Sequence, residues 1–209
     1  MKILCIGDSN TYGYDPRSFL GSRYPKDVRW TDNLYGHDVI NCGVNGMAVP
    51  DDGAPFVAMI EKELPDVIII MLGGNDLLLG RSADDTRDHM ASFLDSIIQD
   101  AAGAPLTKQS DVGKHGFNPS GRAERILLIA PPSFKTGEWV QSEAEIEESQ
   151  RMCELYLNLA SEKGCMFADA DEWDIAISFD GVHFLPEGHM TFASKVAQFL
   201  NNVNFMVRN

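Results

Sequence analysis

The chain has 209 residues, 44% of them hydrophobic and 23% charged, a balance that suits one globular domain with a sizeable core over residues 1–209. Its formal charge of -14 argues against capture of nucleic acid or of an anionic membrane, both of which need clustered Lys and Arg. No apolar run is long enough to span a bilayer, and no charged segment followed by an apolar core and cleavage site opens the chain, so the expected compartment is the cytoplasm.

Lys2–Ile6 reads as a strand and leads at once into Gly7-Asp8-Ser9-Asn10, which puts a serine hydroxyl at a strand's end. Ligands of α/β proteins bind outside the carboxyl ends of parallel strands, so Ser9 is a candidate nucleophile, with a turn residue or N-cap as the alternative role. Tyr12–Trp30 is irregular, rich in glycine, proline, arginine and aromatics, and is placed to wall a site beside Ser9. The strand His37–Asn41 runs into Cys42-Gly43-Val44-Asn45-Gly46, and a helix is expected over Gly53–Leu64. Asp66–Leu72 is continuously apolar after its first residue, as in a strand covered on both faces, and ends in Gly73-Gly74-Asn75-Asp76. A helix over Ala83–Ala102 follows. Gly103–Glu124 is long for a connection inside a compact domain and is expected to be functional, interfacial or mobile.

Arg125–Ala130 is the fourth strand. A helix over Ser142–Lys163 starts with a capping-box pair, Ser142 and Glu145. Cys165–Ala168 is the fifth strand, Asp180-Gly181-Val182-His183 comes next, and the last helix runs Pro186–Asn202 with proline in its first turn. Cys5, Cys42, Cys153 and Cys165 show no metal or redox spacing and are expected as buried free thiols. Alternation of strand and helix gives a three-layer, doubly wound parallel sheet with helices on both faces.

Several of these strand ends carry chemistry. Glycine lets backbone approach a ligand, so the N–H of Gly46 can point at developing negative charge, and the Asn75 amide can donate there without losing a proton; a left-handed turn residue is the alternative for Asn75. Asp180 and His183, three residues apart, can meet on one turn, the carboxylate holding the imidazole Nδ1–H and leaving Nε2 to take a proton from a serine. His37, His89, His115 and His189 read as ordinary surface or core histidines, with His189 close enough in sequence to watch. Asp8 reads as structural, accepting backbone N–H groups to fix the turn. Tyr12, Tyr14, Trp30, Phe134, Trp139 and Phe184 are candidates to wall a pocket, Tyr12 and Trp30 first among them.

Taken in order, Gly-Asp-Ser at Ser9, the glycine at Gly46, Gly-x-Asn-Asp at Asn75 and Asp-x-x-His at Asp180 and His183 resemble the four blocks of an SGNH hydrolase of the GDSL esterase and lipase superfamily. Arg29-Trp30-Thr31 and the strand from Asp66 to Gly73 are similar to its arylesterase and acyltransferase branch. The resemblance implies a flavodoxin-like sheet and a serine esterase acting on short-chain acyl esters. It implies Ser9 as nucleophile, His183 as base, Asp180 as orienter, and Ser9, Gly46 and Asn75 around the oxyanion. Asn10 stands where the superfamily commonly has leucine, so with Tyr12 and Trp30 it is a candidate substrate contact.

The same resemblance implies transfer of the acyl group to alcohols or peroxide in some members, self-association in others, and no metal or organic cofactor. Small acyl esters are the expected partners, and carbohydrate O-acetyl deacetylation is the alternative on this fold. Two rivals stand outside it. A metallophosphoesterase would use Asp8, Asp76, Asp180, His183 and His189 as ligands but has no histidine in either glycine-rich turn. A flavodoxin-like binding module would cradle a phosphate on the backbone of residues 7–11 and leaves Asp180 and His183 without a role.

Overall fold

The computed structural model describes residues 1–18, 20–99 and 122–206. Five strands, β1 (Lys2–Gly7), β2 (Asp38–Gly43), β3 (Val67–Met71), β4 (Ile126–Ala130) and β5 (Met166–Asp169), form one sheet in the order β2-β1-β3-β4-β5. Every neighbouring pair is parallel. β3 and β4 are buried along their whole length, which is why their sequences are runs of Ile, Leu and Val rather than alternations of apolar and polar residues.

Because side chains alternate across a strand, the sheet feeds two cores. Leu4, Ile6, Ile68, Ile70 and Leu128 pack on one face against α2 (Ala54–Glu63), α4 (Ala83–Gln99) and α5 (Glu143–Lys163). Ile3, Cys5, Ile69, Met71 and Ile129 face α6 (Pro186–Met206), whose Phe192, Val196 and Leu200 share that core with Trp30 and Leu34. The result is the expected three-layer α/β arrangement. Its second face is covered by one long helix together with the Trp30–Leu34 stretch of the β1–β2 connection, so the end of the irregular segment is core rather than site wall.

The expected strands and long helices are present with ends shifted by a few residues. Ser142 caps α5 through the capping box with Glu145, Gly164 ends it at φ 72°, and Pro186 opens α6. Two short helices were not expected, α1 (Ser9–Tyr12) and α3 (Gly74–Leu78). Neither is long enough for a 3.6-residue periodicity to show. The cysteines are all free, but only Cys5 is fully buried; Cys42, Cys153 and Cys165 are half-buried, lying at the margins of their cores. The connection Gly103–Glu124, as far as residue 121, and the expected end of α4 beyond Gln99 lie outside the described residues. Among the described residues no helix is long and apolar enough to cross a membrane.

The chain runs from β1 outward to β2 and then back across to β3, so the strand order reverses beside β1. Such a reversal, at the carboxyl ends of β1 and β3, is the place where sheets of this kind bind ligands.

Candidate active site

Ser9 is the first residue of α1, directly after β1. Asp8 caps this helix: its backbone is extended and its Oδ1 accepts the Asn10 N–H at 2.9 Å. The turn fits because Gly7 and Gly43 lack side chains. A Cβ on Gly7 would stand 2.1 Å from Thr11 Oγ1, and one on Gly43 would stand 2.2 Å from the Tyr12 nitrogen. Burial pushes the Asp8 carboxyl up to about 6, against the Asn10 hydrogen bond and the field of His183, which favour the charged form.

His183 and Asp180 lie in the loop before α6. Asp180 Oδ1 accepts the N–H groups of Val182 and His183, both at 3.0 Å, and Oδ2 meets His183 Nδ1 at 2.7 Å. Burial pushes the Asp180 carboxyl up, but the imidazole and the two backbone N–H groups outweigh it and hold it below the usual carboxylate range. An ionised carboxylate only accepts, so Nδ1 carries the proton and Nε2 is left with its lone pair. That Nε2 is 2.9 Å from Ser9 Oγ. All three side chains are buried.

Asn75 lies in α3, after Gly73 at φ 116°. One of its two amide hydrogens goes to the Met47 carbonyl at 3.2 Å, which leaves the other free. Gly46, one residue before Met47, is exposed in a left-handed turn at φ 73°. The neighbouring Asp76 is fully buried; it accepts the Val49 N–H at 2.9 Å and pairs with Arg81 at 2.6 Å. Sequence reading weighed Asp76 only as a metal ligand and missed this structural role. Asp76 and Asn75 together tie the segment after Gly46 to α3, so the second and third glycine turns form one unit.

The structure thus brings Ser9, Asp180 and His183 into direct contact and joins Gly46 and Asn75 through Met47. The expected substrate contacts Asn10, Trp30 and Tyr12 are engaged with other protein groups. Asn10 is buried, its Nδ2 donating to the Val182 carbonyl at 3.1 Å and its Oδ1 accepting the Phe184 N–H at 2.9 Å, so it staples α1 to the histidine loop. Trp30 is fully buried, its indole N–H donating to the Asn10 carbonyl at 3.1 Å and its ring 4.8 Å from Phe192. Tyr12 is half-buried with the Arg23 guanidinium 4.5 Å from its ring centre. The aromatic rings against His183 are Tyr14, at 4.7 Å, and Trp139, at 4.8 Å. Phe134 and Phe184 are core.

His189 is also buried, edge-on to Tyr24 and Phe184, and neither ring nitrogen has a partner. Burial, with His183 and Arg29 adding repulsion, pushes its imidazole down to about 3 from the ordinary 6.5. In acid the unfolded chain therefore takes up a proton that the folded one refuses. The stability involved is fully present above 6.5 and is lost as pH falls from there towards 3, about 3 kcal/mol by pH 4. His189→Leu should lose correspondingly less stability than the parent between pH 7 and pH 4 in urea titrations; parallel losses would show that His189 does not carry the acid sensitivity. Among the described residues no three His, Cys, Asp or Glu side chains are grouped so as to hold a metal.

A sequence profile of the GDSL-like lipase/acylhydrolase family matches residues 5–190. The native aryl esterase of M. smegmatis is 25% identical, with 97% of this chain and 99% of that one covered at a TM-score of 0.77. A carbohydrate acetylesterase from Sinorhizobium meliloti shares the fold at 23% identity, with 97% and 99% covered and a TM-score of 0.75. No curated protein matches the chain.

Proposed function

Because this chain belongs to the GDSL-like lipase/acylhydrolase family, and is by that membership a carboxylic ester hydrolase, we propose that it cleaves short-chain acyl esters through an acyl-enzyme on Ser9. The observation that carries the reading is the buried relay from Asp180 through His183 to Ser9, with contacts of 2.7 and 2.9 Å, at the carboxyl end of β1. Ser9 Oγ attacks the ester carbonyl while His183 Nε2 takes its proton, and Asp180 steadies the imidazolium. His183 then returns the proton to the departing alkoxide. Water enters on the same path and gives its proton to Nε2 as it attacks the acyl carbon; collapse breaks the bond to Ser9 Oγ, which takes the proton back from Nε2, and the acid is released.

The oxyanion of each tetrahedral intermediate is held by the N–H groups of Ser9 and Gly46 and by the free Asn75 amide hydrogen. Ser9 stands at the start of α1, so its N–H has no carbonyl one turn back within the helix. Gly46 is exposed and its turn leaves the space around it open. An alcohol or peroxide in place of water would make the same site an acyltransferase, and competition by added alcohol measures that share. The name of the M. smegmatis neighbour supports aryl esters as the first substrates to assay, with acetylated sugars as the alternative. The four free cysteines support work in the cytoplasm.

Asn75→Ala tests the oxyanion assignment. We expect kcat for p-nitrophenyl acetate to fall by about 10²–10³, roughly 3 kcal/mol of transition-state stabilisation, with KM little changed. Retention of kcat to within a few-fold would sink that role for Asn75.

A further inference from the structure

We propose that Trp139 is the platform on which the leaving group of the ester rests; this rests on the assignment of Ser9 and His183 above. The group that departs must receive its proton from His183 Nε2, so its oxygen lies within hydrogen-bond reach of that atom and its body lies beside the imidazole. Two rings touch the imidazole. Tyr14 is half-buried, whereas Trp139 is 49% exposed while its ring centre stands 4.8 Å from that of His183 at 83°. Trp139 is thus the flat apolar surface that meets both the proton donor and the solvent from which substrate arrives.

The placement is built in. The Trp139 N–H donates to the Asp180 carbonyl at 3.0 Å, the Glu138 N–H to the Phe179 carbonyl at 3.1 Å, and the Lys135 N–H to the Gly181 carbonyl at 3.0 Å. The two loops interlock through glycine: a Cβ on Gly137 would stand 2.4 Å from the Asp180 carbonyl carbon. The β4–α5 loop is therefore bolted to the loop that carries the imidazole, and Trp139 keeps its distance from His183. The Phe179 carbonyl takes part in the same lock through the Glu138 N–H. An exposed indole beside His183 gives a flat aromatic leaving group a larger contact than a short alkyl one.

Phenyl acetate and ethyl acetate separate this role from others, because both give the same acetyl-enzyme and differ only in the group that leaves. For Trp139→Ala we expect kcat/KM on phenyl acetate to fall about tenfold more than on ethyl acetate, the worth of one aromatic contact. Trp139→Phe should restore most of the difference, and hydrolysis of preformed acetyl-enzyme should keep its rate. Equal losses on the two esters would overturn the proposal and leave Trp139 as a support for His183. A loss graded by acyl length at a constant phenyl leaving group would overturn it in favour of an acyl pocket. Absence of acetyl on Ser9 in the parent enzyme would overturn both this proposal and the assignment beneath it, and so is told apart from a failure of Trp139 alone.

Discussion

Ser9→Ala and His183→Ala are each expected to lower kcat/KM for p-nitrophenyl acetate by about 10⁴ or more, and combining them should cost little beyond either alone. The two act as a unit: without Oγ there is nothing to acylate, and without Nε2 the hydroxyl keeps its proton. Both variants should fold. Ser9 Oγ touches only His183 among the side-chain contacts of the site, and α1 is held instead by the Asp8 cap, the Asn10 staple and the close fit over Gly7 and Gly43. The histidine loop is held by Asp180 Oδ1 on two backbone N–H groups, which His183→Ala leaves in place. Circular dichroism and thermal melting check the fold, and a folded variant of either kind within tenfold of the parent would contradict the role assigned to that residue.

Asp180→Asn is expected to cost nearly as much, about 10⁴ in kcat, for a different reason. An asparagine there can still present its amide oxygen to the Val182 and His183 N–H groups, which keeps the loop. Its NH₂ then faces His183 Nδ1, where the carboxylate oxygen lay at 2.7 Å. A donor facing Nδ1 makes that nitrogen the acceptor and moves the ring proton to Nε2, towards Ser9, so the imidazole can no longer take the serine proton. Asp180→Ala should lose activity and stability together, since it also strips the two backbone N–H groups of their acceptor. If Asp180→Asn held kcat to within tenfold, the tautomer argument would fail.

The frame of the fold was legible in sequence because its strands are buried on both faces. Runs such as Val67–Met71 cannot be mistaken for amphipathic surface, and the glycine turns that follow β1, β2 and β3 stand where the chain must leave a packed layer. The candidates Ser9, Gly46 and Asn75 stood out because each follows such an exit, and Asp180 and His183 by their spacing just before the last helix. What sequence did not show was how several other side chains are engaged by distant segments. Asn10 looked like a free side chain next to the nucleophile, but both ends of its amide are spent on the backbone of Val182 and Phe184. Trp30 looked like a loop aromatic and is the plug between the β1–β2 connection and α6. Trp139 carried no local sign of its place against His183, since that place is set by hydrogen bonds between two loops on either side of α5. Asp76 had a local sign, Arg81 five residues on, but burial is what makes the pair structural rather than another surface ion pair.

The nucleophile is tested most directly by mass. The enzyme is mixed with p-nitrophenyl acetate, quenched in acid during turnover, digested, and its peptides weighed. The expected result is a single acetyl group on the peptide that contains Ser9, formed at the rate of the p-nitrophenol burst and missing from His183→Ala. Steady turnover with Ser9 unmodified, or an equal burst in Ser9→Ala with acetyl on another side chain, contradicts it.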